Sequence, residues 1–291
     1  MARQGGPGRA GVGDVTSTVD ALSAREIHPR IGSEILADKA TLLSGDHAGA
    51  IRELLEQRGV LVFPKIGFTD DEQVAFTETL GTMATERKGE KLYQVTLDTS
   101  INKQADYLRG SLYWHLDGTM NEVPILASLL SSKALGNEGE GDTEFCNTYA
   151  AYEDLPDEDK AALEQLQVTH STWTTLLYYE PEPALETLRQ MMSIGERDLP
   201  LVWTHRSGRK SLVLGCTAGH VVGLDRRAST ELLVRLREWA TQPQFTYRHT
   251  WSVGDLVIWD NTGTMHRATP YDPTSGRLLQ RTKLAGEEPF A

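Results

Sequence analysis

His115 and Asp117 stand two residues apart in the run Tyr113-Trp114-His115-Leu116-Asp117-Gly118. In extended backbone, residues i and i+2 project to the same face, so this imidazole and carboxylate can converge on one metal ion. A reactive centre of that kind needs a second histidine from elsewhere in the chain and coordination positions left open for other ligands. The fold must therefore bring distant segments to this pair.

The 291 residues suffice for one large domain or two small ones, and β-barrels of this size often form a single domain. A formal charge of -12 argues against a general nucleic-acid binder, which carries a basic face, and favours a small-molecule partner. Cys146 and Cys216 are 70 positions apart with no close-spaced Cys/His motif, so neither a disulfide framework nor a structural zinc site is expected. Residues 1–20 begin with a Gly- and Arg-rich stretch that has little to pack and read as a disordered tail without a secretory h-region. No apolar run reaches the length of a membrane span, so a soluble, cytoplasmic protein is expected, and a homo-oligomer is compatible with the chain.

Residues 21–291 read as one domain. Ala50, Ile51, Leu54 and Leu55 recur at helical spacing after a candidate N-cap at Asp46, and Gly59 stops them. Val60–Phe63 suits a buried strand, and Thr69 with Glu72 opens a helix closing near Gly81. Val95 and Leu97 suggest a strand, 102–109 a loop, and 125–130 a strand. A turn-rich acidic loop then leads into Thr143-Glu144-Phe145. A helix is expected from Pro156 with Ala161, Ala162, Leu163 and Leu166 inward. The aromatic segment 168–200, with Trp173 and a helix start at Pro181, reads as an insertion or lid. A hairpin at 201–214, a helix over 229–240 and an apolar strand at 256–259 complete the pattern.

Any one of the eight histidines has a bland reading as a surface or hydrogen-bonded residue. His266 is the best remote partner for the pair because it follows the apolar strand and leads into Arg277 and Arg281. Between Met265 and Lys283, four cations (Arg267, Arg277, Arg281 and Lys283) face Asp272 alone, so an anion is expected there rather than a merely solvated basic face.

Several stretches together resemble the TauD/TfdA family of iron(II)- and 2-oxoglutarate-dependent dioxygenases. They are Trp114-His115-Leu116-Asp117, Gly141-Asp142-Thr143-Glu144-Phe145 followed by 150–155, the stretch 204–214, and Gly254-Asp255 through Trp259-Asp260-Asn261 to His266, Arg277 and Arg281. HxD alone is a weak signal, but these elements in this order are specific. The resemblance covers roughly residues 35–286.

It implies a mainly β fold with flanking helices, a double-stranded β-helix or jelly roll. It also implies Fe(II) held by His115, Asp117 and His266, with 2-oxoglutarate and O2 as co-substrates. In the family, the Thr143 and Arg277 positions hold the distal carboxylate of 2-oxoglutarate. Arg281 either meets the substrate's anionic group or helps hold the co-substrate. The expected reaction oxidises a small anionic organic substrate, one bearing a carboxylate, sulfonate or sulfate, and releases succinate and CO2. A carboxylate ligand at Asp117 leaves no vacancy for a halide, so halogenation is not expected. Taurine enzymes carry an asparagine four residues before the first iron histidine. Ser111 stands there in this chain and points away from taurine. Tyr93, Tyr107, Tyr113 and Trp173 are pocket candidates, with core or surface packing as their alternative role.

Two competing readings remain. One is a biosynthetic oxidase giving stable hydroxylation or desaturation instead of ether, sulfonate or sulfate-ester cleavage. The other is a non-catalytic or zinc-containing anion-binding barrel, for which Thr143 paired with Arg277 would have no use.

Overall fold

Val60–Phe63 forms a strand whose side chains alternate between two buried faces. Val60 and Val62 enter an apolar cluster with Leu130, Phe145, Val257 and Trp259, whereas Leu61 and Phe63 enter another with Leu55, Phe76 and Ile258. A strand buried on both sides needs a layer on each. The computed structural model, which describes residues 18–19, 22–86 and 89–290, supplies both.

The strand lies within a nine-stranded sheet. In spatial order its strands are Thr18–Val19, Leu22–Glu26, Ser33–Leu36, Val60–Phe63, Leu256–Asp260, Ala127–Ala134, Leu278–Leu284 and Met83–Ala84, with Tyr93–Val95 also paired to Leu278–Leu284. A three-stranded sheet of Thr246–His249, Thr143–Asn147 and Thr264–Ala268 faces it, and Phe145 from this smaller sheet sits in the shared cluster. Helices Ala48–Arg58 and Asp70–Leu80 cover the outer face of the large sheet, and Thr148–Glu153 and Arg226–Ala240 cover that of the small one. The result is the expected jelly roll with flanking helices.

Local signals account for most element ends. Thr69 and Glu72 form a reciprocal capping box at Asp70–Leu80, and Gly59 ends Ala48–Arg58 with φ 71°. That helix starts later than expected: His47, not Asp46, is its N-cap, and it makes no side-chain cap bond. The helix after Pro156 spans Asp157–Leu163, but Ala161 and Ala162 are exposed and only Leu163 is buried. The expected loop at 102–109 contains a short helix, Ala105–Leu108. Within 168–200 lie the helices Thr172–Tyr179 and Leu185–Met192, the second starting four residues beyond Pro181. Strands Gln167–Ser171 and Glu196–Pro200 flank them and pair with each other. Val202–Thr204 and Lys210–Leu212 form the expected hairpin. The expected N-terminal tail lies outside the described residues, apart from Thr18–Val19, which pairs with Leu22 and Ser23. Among the described residues no helix is long and apolar enough to cross a membrane.

The His115 segment adds itself to the smaller sheet by one bridge rather than a full strand. His115 N–H donates to His266 O at 3.0 Å, and His266 N–H donates to His115 O at 2.9 Å. On its other side, Cys216 N–H donates to Trp114 O at 2.7 Å. The preceding Gly215 has φ 118°, and a Cβ there would lie 2.9 Å from His115 Cα and 3.0 Å from Trp114 O. Glycine at 215 therefore permits both the backbone conformation and the close approach that seats the motif. Gly215→Ala is expected to cost about 2 kcal/mol, by strain of the kind seen at such backbone outliers. A thermal melt should show a fall of several degrees, and an unchanged melt would mean that the segment relaxes freely.

Candidate metal centre and cavity

Alternation persists through the bridge segment: Trp114 and Leu116 join the outer cluster with Cys146, while His115 and Asp117 turn the other way. His266, inward on Thr264–Ala268, lies between the Phe145 ring (centroids 6.4 Å apart) and the Trp259 ring (4.6 Å). One ligand atom each from His115, Asp117 and His266 falls within 4.8 Å of the other two. Both histidines come from the small sheet, while Asp117 is tied to the large one through the Ser128 hydroxyl, which donates to Asp117 Oδ2 at 3.0 Å.

The protonation states suit a cation. His115 Nδ1 lies 2.8 Å from Tyr113 O, and donation there leaves Nε2 with its lone pair, 3.8 Å from Asp117 Oδ1. Burial pushes His266 down to about 3, so it is neutral near pH 7, with Nε2 3.9 Å from Asp117 Oδ2. Burial alone would raise Asp117, but the imidazoles, the Arg281 guanidinium and the Ser128 hydroxyl outweigh it and hold the carboxyl well below the usual range. Near pH 7, with His266 neutral, the Arg281 charge and the Ser128 bond remain to favour the carboxylate. No hydrogen bond joins the three groups, and His266 Nδ1 is buried without a partner. An ionised carboxylate between imidazole lone pairs fits a divalent cation.

Asp117 ends a buried chain of donors. Trp259 Nε1 donates to Asn261 Oδ1 at 2.8 Å, Asn261 Nδ2 donates to Ser128 Oγ at 3.0 Å, and Ser128 Oγ donates onward to Asp117. Each donor has one acceptor in reach, so the carboxylate's orientation is set from the sheet interior.

Thr143 pairs with Ala268 and Phe145 with His266, so Thr143 and His266 share the inward face, one strand apart and two residues along. Trp251 Nε1 donates to Thr143 Oγ1 at 3.0 Å, which leaves the hydroxyl proton free to donate elsewhere. Arg277 is buried, with its ring neighbour Tyr271 4.5 Å away and both Nε and an NH2 group bonded to Gly141 O at 3.1 and 2.7 Å. A Cβ at Gly141 would lie 2.5 Å from Arg277 Nε, so only glycine admits this stacking. Arg277 is thus held to the backbone two residues before Thr143.

A cavity of about 840 Å³ opens on the centre, lined by His115, Asp117 and Arg281 and, among the pocket candidates, by Ser111, Tyr93 and Tyr107. His266, Thr143, Arg277, Tyr113 and Trp173 are not on its wall. Tyr113 packs against Tyr178 at 5.2 Å, and Trp173 Nε1 donates to Glu196 at 2.8 Å. Arg281 NH1 lies 4.0 Å from Asp117 Oδ2, beneath the Tyr93 ring at 5.0 Å. Sequence reasoning missed Ser128, Trp251 and Glu86. Ser128 had a usable signal, since it is a small polar residue two before Leu130, on the same inward face of its strand.

Asn261→Ala is expected to weaken Mn(II) binding roughly 10–100-fold, as lost outer-sphere partners do. Ser128→Ala should act in the same direction. Isothermal titration would show it, and unchanged affinity in both variants would mean that the donor chain does not orient Asp117.

The family described as "Taurine catabolism dioxygenase TauD, TfdA family" matches residues 23–283. The chain is similar to an alpha-ketoglutarate-dependent 2,4-dichlorophenoxyacetate dioxygenase of Burkholderia sp. (strain RASC), 32% identical over 287 residues that cover 91% of this chain and 95% of the relative. It is also similar to an alpha-ketoglutarate-dependent sulfate ester dioxygenase of Pseudomonas putida, 32% identical over 277 residues, covering 91% and 90%. Among solved structures, AAD-2 in complex with Mn(II) and N-oxalylglycine superposes with a TM-score of 0.80 at 31% identity, covering 94% of this chain and 100% of that one. With the paired histidines and carboxylate seated between two sheets, these matches settle the lineage: the chain belongs to the TauD/TfdA family of Fe(II)- and 2-oxoglutarate-dependent dioxygenases.

Proposed function

We propose that His115, Asp117 and His266 hold the Fe(II), that Thr143 and Arg277 hold the distal carboxylate of 2-oxoglutarate, and that Arg281 holds the anionic end of the primary substrate. The observation that carries this reading is the convergence of two histidines and a carboxylate from two sheets, of which His115 and Asp117 line a cavity that also displays Arg281. When bound, the iron with 2-oxoglutarate and O2 supplies oxidation of a substrate C–H bond, with release of succinate and CO2.

The chain's own residues do the placing. Neutral His266 offers a lone pair near pH 7, and the Ser128 hydroxyl fixes one oxygen of Asp117. Arg277, always charged and planar, suits a bidentate contact with a carboxylate, and the free proton of Thr143 adds a donor beside it. Arg281, 4.0 Å from Asp117, anchors a substrate's charge close to the metal, so that a carbon one or two bonds away is the one presented. The helices Thr172–Tyr179 and Leu185–Met192 contribute Thr172, Thr175, Tyr179 and Met191 to the cavity wall, which favours a lid role in keeping water out.

The relatives named for 2,4-dichlorophenoxyacetate and for sulfate esters favour an organic anion whose reactive carbon carries an oxygen. Hydroxylation at such a carbon gives an unstable product that collapses with C–O cleavage. Residues 21–291 act as a single domain, and the reading places the protein in the cytoplasm.

Adding Fe(II) and 2-oxoglutarate without air should produce a visible metal-chelate charge-transfer band, and admitting air with a substrate should release succinate. Neither signal across aryloxyalkanoates, alkyl sulfonates and sulfate esters would overturn the reading. His266→Ala is expected to abolish iron binding. Arg277→Ala should retain iron and raise the 2-oxoglutarate concentration needed for half the band at least roughly tenfold, the loss of one charge-assisted contact.

A further inference from the structure

Glu86 stands on the cavity wall between two cations. Its Oε1 accepts from Nε and an NH2 group of Arg281 at 3.3 and 3.0 Å, and lies 2.9 Å from Lys283 Nζ. Arg281 and Lys283 are two apart on the Leu278–Leu284 strand, hence on one face, and all three side chains line the cavity. Their exposures are low, 12% for Glu86, 18% for Arg281 and 11% for Lys283, so water does little to mask their charges. The carboxylate oxygen is shared by both cations, and the group as a whole carries one unit of positive charge.

The rest of the site leaves that surplus standing. Among the described residues, Glu90 and Lys103 are the other charged groups of the wall besides Asp117, and they cancel each other. At the metal, Fe(II), Asp117, the 2-oxoglutarate dianion and Arg277 sum to zero. A largely buried site penalises any ligand that leaves an unbalanced charge. One added negative charge is therefore matched, and a second is not.

We propose that Glu86 is a specificity-determining residue: by cancelling one of the two cations, it sets the cavity for substrates of a single negative charge. Carboxylates, sulfonates and sulfate monoesters meet this condition, and phosphate monoesters, dianionic at neutral pH, do not. The inference rests on Arg281 as the substrate's anion site, and it adds what limits the charge that site accepts. Glu86→Gln would turn a surplus of one into a surplus of two, and Lys283→Gln would reduce it to zero.

Phenyl sulfate and phenyl phosphate have nearly the same shape and differ by one charge at pH 7.5, so they isolate the effect. Their binding to the anaerobic Fe(II)–2-oxoglutarate enzyme is read by calorimetry, independently of turnover. The wild-type protein should prefer the sulfate by roughly tenfold or more. Glu86→Gln should move the sulfate-to-phosphate ratio toward phosphate by more than threefold, and Lys283→Gln should weaken the sulfate. A ratio within threefold of wild type in Glu86→Gln overturns the proposal, as does binding of neither anion by wild-type enzyme that shows the charge-transfer band. Absence of the band itself would instead overturn the assignment of the metal and co-substrate residues.

Discussion

A single ionised carboxylate, Asp117, links the His115 segment, bridged to the small sheet, to Ser128 on the large one. His115 and His266 are joined backbone to backbone within the small sheet, while Asp117 hangs from Ser128 on the large one. Burial works against the charge, and the structure offsets that with an oriented hydroxyl and a guanidinium 4.0 Å away. A divalent cation between the three groups would tie both sheets together, so metal binding and inter-sheet packing are one problem in this fold. The Trp259–Asn261–Ser128 chain carries that constraint back into the core, because Trp259 also packs against His266.

The strand Leu278–Leu284 organises the polar half of the site. Leu279 points into the inter-sheet core, and the same face then presents Arg281 and Lys283 to the cavity. One β-strand thus passes from packing to recognition simply by continuing its two-residue period. Glu86, from a separate segment, completes the cluster and fixes how much positive charge a ligand meets. The two arginines differ in place: Arg277 is bonded to Gly141 O, off the cavity wall, and Arg281 lies on it. On the proposed reading, these two arginines four residues apart serve two different anions.

Much of this was legible in the residues. The unbroken apolar runs Val60–Phe63 and Leu256–Trp259 marked buried strands, and the His115–Asp117 spacing gave the same-face pair even though the backbone there forms one bridge and no strand. The basic run after His266 pointed to an anion site, and two of its cations, Arg281 and Lys283, line the cavity. What escaped was what depends on tertiary partners. Ser128 and Trp251 acquire their roles from groups more than ten residues and more than a hundred residues away, respectively, and no local pattern encodes such pairings. Tyr113 and Trp173 were candidates for the pocket by type, but aromatic character fits packing equally well, and the structure places them against Tyr178 and Glu196, outside the cavity lining. Asp46 lost the N-cap because the helix begins one residue after His47, a shift that propensity does not resolve.

In the proposed site, one cation draws its protein ligands from both sheets while the co-substrate's far carboxylate lies on Arg277. A crystal structure with Mn(II) and N-oxalylglycine is the decisive test. It should show the metal bound by His115, Asp117 and His266, with the analogue's distal carboxylate on Arg277 and Thr143 and Arg281 left facing the cavity. Metal bound without Asp117, or the distal carboxylate seated on Arg281, would contradict the proposal.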